Sequence, residues 1–183
     1  MIGEKTLHGS EPIMNDALAR WNELESAEAA KEILPCCGAS AWVGGMIGRR
    51  PFDDEAAVLI TADEVWRKLG PPDWLEAFKA HPKIGESRAA VQTGERSANW
   101  SEQEQKSVVA ARGDVKPRLA EGNRAYEEKF GFIFVVCATG KSAPEILEIL
   151  ERRLQNVKET ELKEAAEEQR QITQLRLKKW LGI

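Results

Sequence analysis

The 183-residue chain holds two histidines, His8 and His81, and the second is placed where it could do chemistry. It closes an amphipathic segment and opens the string His81-Pro82-Lys83-Ile84-Gly85-Glu86. Proline at 82 drives His81 out of the α region, so the imidazole ends a helix and faces a loop mouth beside the negative helix terminus. A group there can move protons. The same position also suits a surface histidine that satisfies the last helical carbonyls, and the residue alone leaves both roles open.

Two further positions are informative. Ser101-Glu102-Gln103-Glu104 has the spacing of a capping box, which gives Glu104 a local role at a helix N-terminus. Gln105 beside it offers the donor and acceptor pair suited to an amide-like ligand. Leu162, Ala165, Gln169, Ile172 and Arg176 step by three and four, which sets a permanent cation on the apolar face of a helix. Arginine is seldom buried unpaired, so Arg176 either snorkels to the rim of that face or meets a carboxylate of the protein or of a ligand. Other candidates fall away. Gly140-Lys141-Ser142 resembles the end of a phosphate loop, but the glycine required five positions earlier is Val135. With one histidine outside the tail and no His-x-x-x-His, Cys-x-x-Cys or clustered aspartates, a metal site lacks ligands, and no metal is expected. Cys36 and Cys37 end an apolar segment, which favours buried structural thiols over a nucleophile.

Helices must position these groups. Residues 1–12 are polar and aperiodic and read as a mobile tail containing His8, with the folded domain spanning 13–183. A short apolar-periodic piece covers 13–24. Ser26 caps 27–34 with Gly38 as the stop, and Ser40 opens a helix that ends before Pro51. Residues 53–69 read as one helix or two, with Thr61 and Glu64 as an internal capping box. Pro71, Pro72 and Asp73 break and recap, and 74–80 leads helically into His81. Residues 86–100, small, polar and glycine-containing, read as a loop. Ser101 restarts a helix to about Arg112, and another runs from about Val115 to Lys129. Aromatic and β-branched residues then dominate Phe130 to Ala138. With no partner strand elsewhere, an extended buried segment is expected near 132–138, its backbone satisfied by neighbours, water or a ligand. Ser142 and Glu145 cap a helix whose Leu147, Leu150, Leu154 and Val157 form a core stripe, and a last helix runs from about Thr160 to the end. The class is all-α: a compact single-domain multi-helix bundle with that one extended segment.

Composition narrows the partners. A net charge of −4 with 31% charged and 42% hydrophobic residues argues against nucleic acid or an anionic membrane and leaves a small molecule or a protein. No apolar run reaches membrane-spanning length, the N-terminus lacks a hydrophobic signal core, and Trp180-Leu181-Gly182-Ile183 is not a peroxisomal address. Three cysteines, two of them adjacent, cannot make a disulfide framework. Reduced thiols and a cytoplasmic location are expected. The six tryptophans fit a core or a subunit interface equally.

Taken in order, several stretches resemble the family of 2-oxo-4-hydroxy-4-carboxy-5-ureidoimidazoline (OHCU) decarboxylases, the last enzymes of the route from urate to allantoin. They are Cys36-Cys37-Gly38 with Trp42, Arg50-Pro51-Phe52, Ala62-Asp63 with Trp66, Trp74-Leu75-Glu76-Ala77-Phe78 and His81-Pro82-Lys83-Ile84-Gly85-Glu86. Ser101-x-x-Glu104-Gln105, Asn123-x-x-Tyr126-x-x-Lys129-Phe130-Gly131-Phe132 and Arg176-Leu177 complete the match. Each motif alone is weak, and their order and spacing make the set specific. The resemblance implies an all-helical, often dimeric, cofactor-free enzyme that converts a ureidoimidazoline carboxylate to (S)-allantoin. It implies His81, Glu104 and Arg176 as catalytic residues, and for Glu104 this outweighs the capping role. It also implies substrate contacts from Pro82, Ser101, Gln105 and the backbone of Val135, Val136, Cys137 and Ala138. Under that reading His81 relays protons near its unperturbed pKa of about 6.5, and Arg176 holds an anionic or carbonyl oxygen with its planar fork. The chain departs from the family in a slightly longer His81–Glu104 spacing and in Ile133, where many members have proline. Two other readings remain open. A non-catalytic helical ligand-binding or interaction module would not need the three polar residues to converge, and a related hydantoin hydrolase would need metal ligands or a nucleophile.

Overall fold

The computed structural model describes residues 15–84, 94–109 and 114–183. The expected tail with His8, and most of the expected loop after His81, lie outside them. Among the described residues the only regular elements are helices and no strand forms, so the fold is all-α. The helices are α1 (Asp16–Glu23), α2 (Ser26–Cys37), α3 (Ser40–Ile47), α4 (Glu55–Arg67), α5 (Pro71–Lys79) and α6 (Gly94–Glu104). They continue with α7 (Lys106–Val109), α8 (Val115–Phe130), α9 (Ala143–Arg153) and α10 (Lys158–Leu181).

Local chemistry explains most of these boundaries. Asn15 Oδ1 accepts from the N–H groups of Ala17 and Leu18 and starts α1. α2 stops at Gly38, whose φ of +85° carries little penalty only for glycine. Residues 55–67 form a single helix begun by Asp54, whose Oδ1 accepts from Ala57 N, so Thr61 and Glu64 lie inside it and cap nothing. At α5 the Asp73 carboxylate accepts from Gly70 N–H at 3.1 Å, behind two prolines that fit a first helical turn. The Ser142–Glu145 box forms as expected: Ser142 N–H donates to Glu145 Oε2 at 2.7 Å and Glu145 N–H to Ser142 Oγ at 3.4 Å.

Two expectations need correction. α6 begins at Gly94, so Ser101 and Glu104 stand in its last turns and form no N-terminal cap. Tertiary contact overrides the weak local propensity of this stretch: Arg96 pairs with Glu32 on α2 at 3.7 Å, Trp100 packs against the core, and Ser101 is buried. The core stripe of α9 also ends early. Ile146, Leu147, Leu150 and Arg153 are buried, whereas Val157 is 64% exposed because the helix stops at Arg153 and Val157 caps α10.

α10 is the axis of the fold, at 24 residues about 36 Å long. It packs against α1, α2, α4 and α5. Trp66 on α4 donates from its indole to Ala166 O at 3.0 Å, and Trp180 meets Trp21 edge-on at 5.4 Å. Trp21 and Trp42 are fully buried with their indole N–H groups bonded to Ala29 O and Ala62 O. These four tryptophans serve the core. No helix among the described residues is long and apolar enough to cross a membrane.

Gly131, at φ +81°, turns the chain out of α8 into the extended segment. Phe132, Phe134 and every residue from Val135 to Ala138 are buried there, and the rings of Phe132 and Phe134 pack edge-on against Tyr126. Its backbone is served largely by charged side chains. Arg153, itself paired with Glu161 and wholly enclosed, donates from Nη1 to Val135 O at 2.8 Å. Cys137 N–H donates to Glu168 Oε2 at 2.7 Å, and Cys137 O accepts from Lys141 Nζ at 2.6 Å.

Candidate active site

His81 stands just past the last turn of α5, its N–H donating to Phe78 O at 3.1 Å, and Pro82 turns the chain away. The imidazole Nε2 lies 2.7 Å from Gln169 Oε1 on α10. Burial, with help from the nearby Arg176 cation, pushes its pKa from the usual 6.5 down to about 3, against the Gln169 hydrogen bond that favours the charged form. This corrects the expectation of an unperturbed imidazole. At neutral pH the ring is uncharged and can accept a proton.

Arg176 is buried and meets a carboxylate. Its Nε and Nη2 grip the two oxygens of Glu104 at 3.2 and 2.9 Å, Nη2 also donates to Ser101 Oγ at 2.9 Å, and Nη1 donates to Pro35 O at 3.1 Å. The last of these lies in the final turn of α2, where helical carbonyls want a cation. Lys179 Nζ approaches Glu104 from outside at 3.5 Å. The guanidinium fork is thus spent on Glu104 and Ser101, and a direct forked grip on a ligand is not its role in this arrangement. Glu104, whose side chain is 8% exposed, presents the pair's remaining acceptor capacity.

His81, Pro82, Ser101, Glu104 and Gln105 line one cavity together with Val135, Val136 and Ala138. Eight of the ten residues singled out from sequence therefore converge. Arg176 stands behind Glu104 and Ser101, and Cys137 faces away, its N–H and C=O both engaged elsewhere. Along an extended chain, backbone groups alternate in direction. Residues 135 and 137 are fastened outward to Arg153, Glu168 and Lys141, and Ala138 O accepts from Lys141 N–H at 3.1 Å, so the groups of the opposite edge that can serve a ligand are those of Val136 and the Ala138 N–H. Ile84, Phe134 and Ile172 complete the lining and supply apolar walls. The side chains close on about 20 Å³ of free space, room for about one water.

Nothing else gathers comparable chemistry among the described residues. No three His, Cys, Asp or Glu side chains lie close enough to hold a metal ion. Cys36 and Cys37 are buried and free, and burial pushes both thiols up to about 12, which keeps them protonated.

Residues 22–178 match the family model described as OHCU decarboxylase. The chain belongs to this family. It is similar to the uric acid degradation bifunctional protein TTL of Arabidopsis thaliana, 35% identical over 145 residues that make up 79% of this chain and 44% of that protein. It is also similar to the 2-oxo-4-hydroxy-4-carboxy-5-ureidoimidazoline decarboxylase of Amia calva, 30% identical over 146 residues and 80% of each chain. A solved OHCU decarboxylase structure, determined in the presence of (S)-allantoin, superposes with a TM-score of 0.71 at 35% identity, covering 84% of this chain and 99% of that one. The matched stretch covers 44% of that Arabidopsis protein and 31% of the uric acid degradation bifunctional protein of Bacillus sp., less than half the length of each.

Sequence reasoning missed the residues that stand behind the family's polar set. Gln169 was visible as an amide on an apolar helical stripe, a position where a polar group needs a partner. Arg153 and Glu168 gave no such signal, because arginine and glutamate at a helix surface usually face water.

Proposed function

We propose that this OHCU decarboxylase family member decarboxylates 2-oxo-4-hydroxy-4-carboxy-5-ureidoimidazoline to (S)-allantoin without a cofactor. The observation that carries the reading is the convergence of His81, Glu104, Ser101 and Gln105 on one cavity walled by Phe134, Val135, Val136 and Ala138. The substrate bears a hydroxyl and a carboxylate on one ring carbon, next to a carbon–nitrogen double bond. As the bond to the carboxylate breaks, its electron pair forms a double bond to the neighbouring ring carbon, and the imine pair moves onto nitrogen. That built-in sink removes the need for an external one. The hydroxyl then loses its proton to become the carbonyl of allantoin, while the ring nitrogen and the neighbouring carbon each gain one, so one proton is consumed overall. His81, uncharged, takes the hydroxyl proton and returns it to carbon on one face, which sets the S configuration.

Glu104, fixed by Arg176, accepts from ureido or ring N–H groups, and Gln105 donates and accepts beside it. The N–H groups of Val136 and Ala138 donate to a ring carbonyl. A homodimer and a cytoplasmic location belong to the same proposal, supported by the family resemblance and by composition.

The test supplies substrate in place from urate with urate oxidase and hydroxyisourate hydrolase and follows chiral product by circular dichroism. Rapid (S)-allantoin formation, reduced by about two to four orders of magnitude in His81→Asn, is the expected result. Allantoin appearing only at the spontaneous, racemic rate would remove the proposal.

A further inference from the structure

We infer that Gln169 is the positioning residue for His81, fixing the imidazole with its proton on Nε2 and leaving Nδ1 as the nitrogen that exchanges protons with substrate. The inference rests on the decarboxylase reading only for what Nδ1 does, not for where the proton lies.

The assignment starts from a group with one possible role. The main-chain carbonyl of Gln169 can only accept, so the Thr173 hydroxyl at 3.0 Å donates its single proton there. That leaves the Thr173 oxygen as an acceptor. Gln169 Nε2, 3.2 Å away, donates to it. With the amide nitrogen turned toward Thr173, the amide oxygen must face His81, and an oxygen can only accept. The 2.7 Å contact therefore places the ring proton on Nε2. Gln169 and Thr173 are both buried, at 0% and 3% exposure, so water does not compete for these bonds. Position 173 follows 169 by one turn of α10, which makes the relay as rigid as the helix.

In the reaction this tautomer decides which nitrogen works. Nδ1 takes the proton of the substrate hydroxyl, the ring becomes imidazolium, and Nε2–H keeps its bond to Gln169 throughout. The proton on Nδ1 then passes to carbon, and the neutral Nε2–H tautomer is restored. A ring bonded the other way would present a donor to the hydroxyl and could not begin.

The experiment is ¹⁵N NMR of the full-length protein labelled at histidine. The chain has two histidines, and the signals absent from His81→Asn assign the site. The expected result is a proton-bearing, pyrrole-like Nε2 and a bare, pyridine-like Nδ1 at neutral pH. In Gln169→Met the two nitrogens should move toward intermediate shifts, with kcat down on the order of 10- to 100-fold and KM nearly unchanged, as for other partners that orient a histidine. Thr173→Val frees the amide to turn and should act in the same direction, whereas Thr173→Ser should restore both shifts and kcat, which covers the case of a poorly folded Gln169→Met. A wild-type His81 protonated on Nδ1 overturns the inference, as do unchanged shifts in both Gln169→Met and Thr173→Val. The expected tautomer in a protein that makes no (S)-allantoin would instead uphold this geometry and remove the proposed function.

Discussion

Two buried arginine–glutamate pairs stand near opposite ends of α10 and put the same chemistry to different uses. Near the N-terminal end, Arg153 and Glu161 are wholly enclosed, and their remaining valence goes to Tyr126 and to Val135 O. Near the C-terminal end, Arg176 holds the two oxygens of Glu104 at 3.2 and 2.9 Å, but Glu104 forms part of a cavity wall. The first pair spends every hydrogen bond on the fold. The second keeps acceptor capacity turned toward a cavity. A buried ion pair is thus read as structural or functional by where its unspent lone pairs point, and not by its burial.

The largest expected effect breaks the enclosed pair. Arg153→Ala leaves Glu161 charged and unpaired and strips Val135 O of its donor, and should cost about 3–5 kcal/mol in urea unfolding. Replacing both partners by methionine should recover much of that loss. Next, Arg176→Lys keeps the charge but loses the fork on Glu104, so kcat/KM for allantoin formation should fall about a hundredfold. Its stability loss in the same urea assay should be smaller than that of Arg153→Ala. If Arg176→Lys proves the more destabilising of the two, the contrast between the pairs fails.

Histidine titration sharpens the comparison more gently. The folded-state pKa of His81 lies below its ordinary 6.5, so the folded protein binds fewer protons than the unfolded chain as pH falls. Its contribution to stability is complete above about pH 6.5 and declines from there toward about pH 3. Unfolding free energies of wild type and His81→Asn should therefore converge on acidification, and parallel curves between pH 6.5 and 4 would contradict the assignment. The free-enzyme kcat/KM profile should likewise show no acid limb at 6.5. The smallest effect tests a position that looks like core in the sequence: Val157→Thr, on an exposed cap, should change stability by no more than about 0.5 kcal/mol.

The sequence carried the fold where local and tertiary preferences agree. The Ser142–Glu145 cap, the proline-led start of α5 and the stripe through Ala165, Ile172 and Arg176 could be read directly. So could the extended run near 132–138, because aromatic and β-branched residues without a strand partner have few other solutions. Ser101 and Glu104 misled for a physical reason: the same four-residue spacing that makes a capping box also puts two side chains on one helical face. Only the start of α6 at Gly94, held by contacts with α2 and the core, decides between them. The tautomer of His81 was beyond reach, since it depends on residues 88 and 92 positions away in the chain.

α10 supplies Gln169 and Thr173 to the imidazole and Arg176 to the carboxylate, all within seven residues, about 10 Å of one rigid rod. A slide or rotation of that rod therefore strains its contacts to His81 and to Glu104 together. The Asn15 side chain, clasping Leu181 O at 2.7 Å, and the Glu161 pair at the other end pin the two ends of the rod against such a slide.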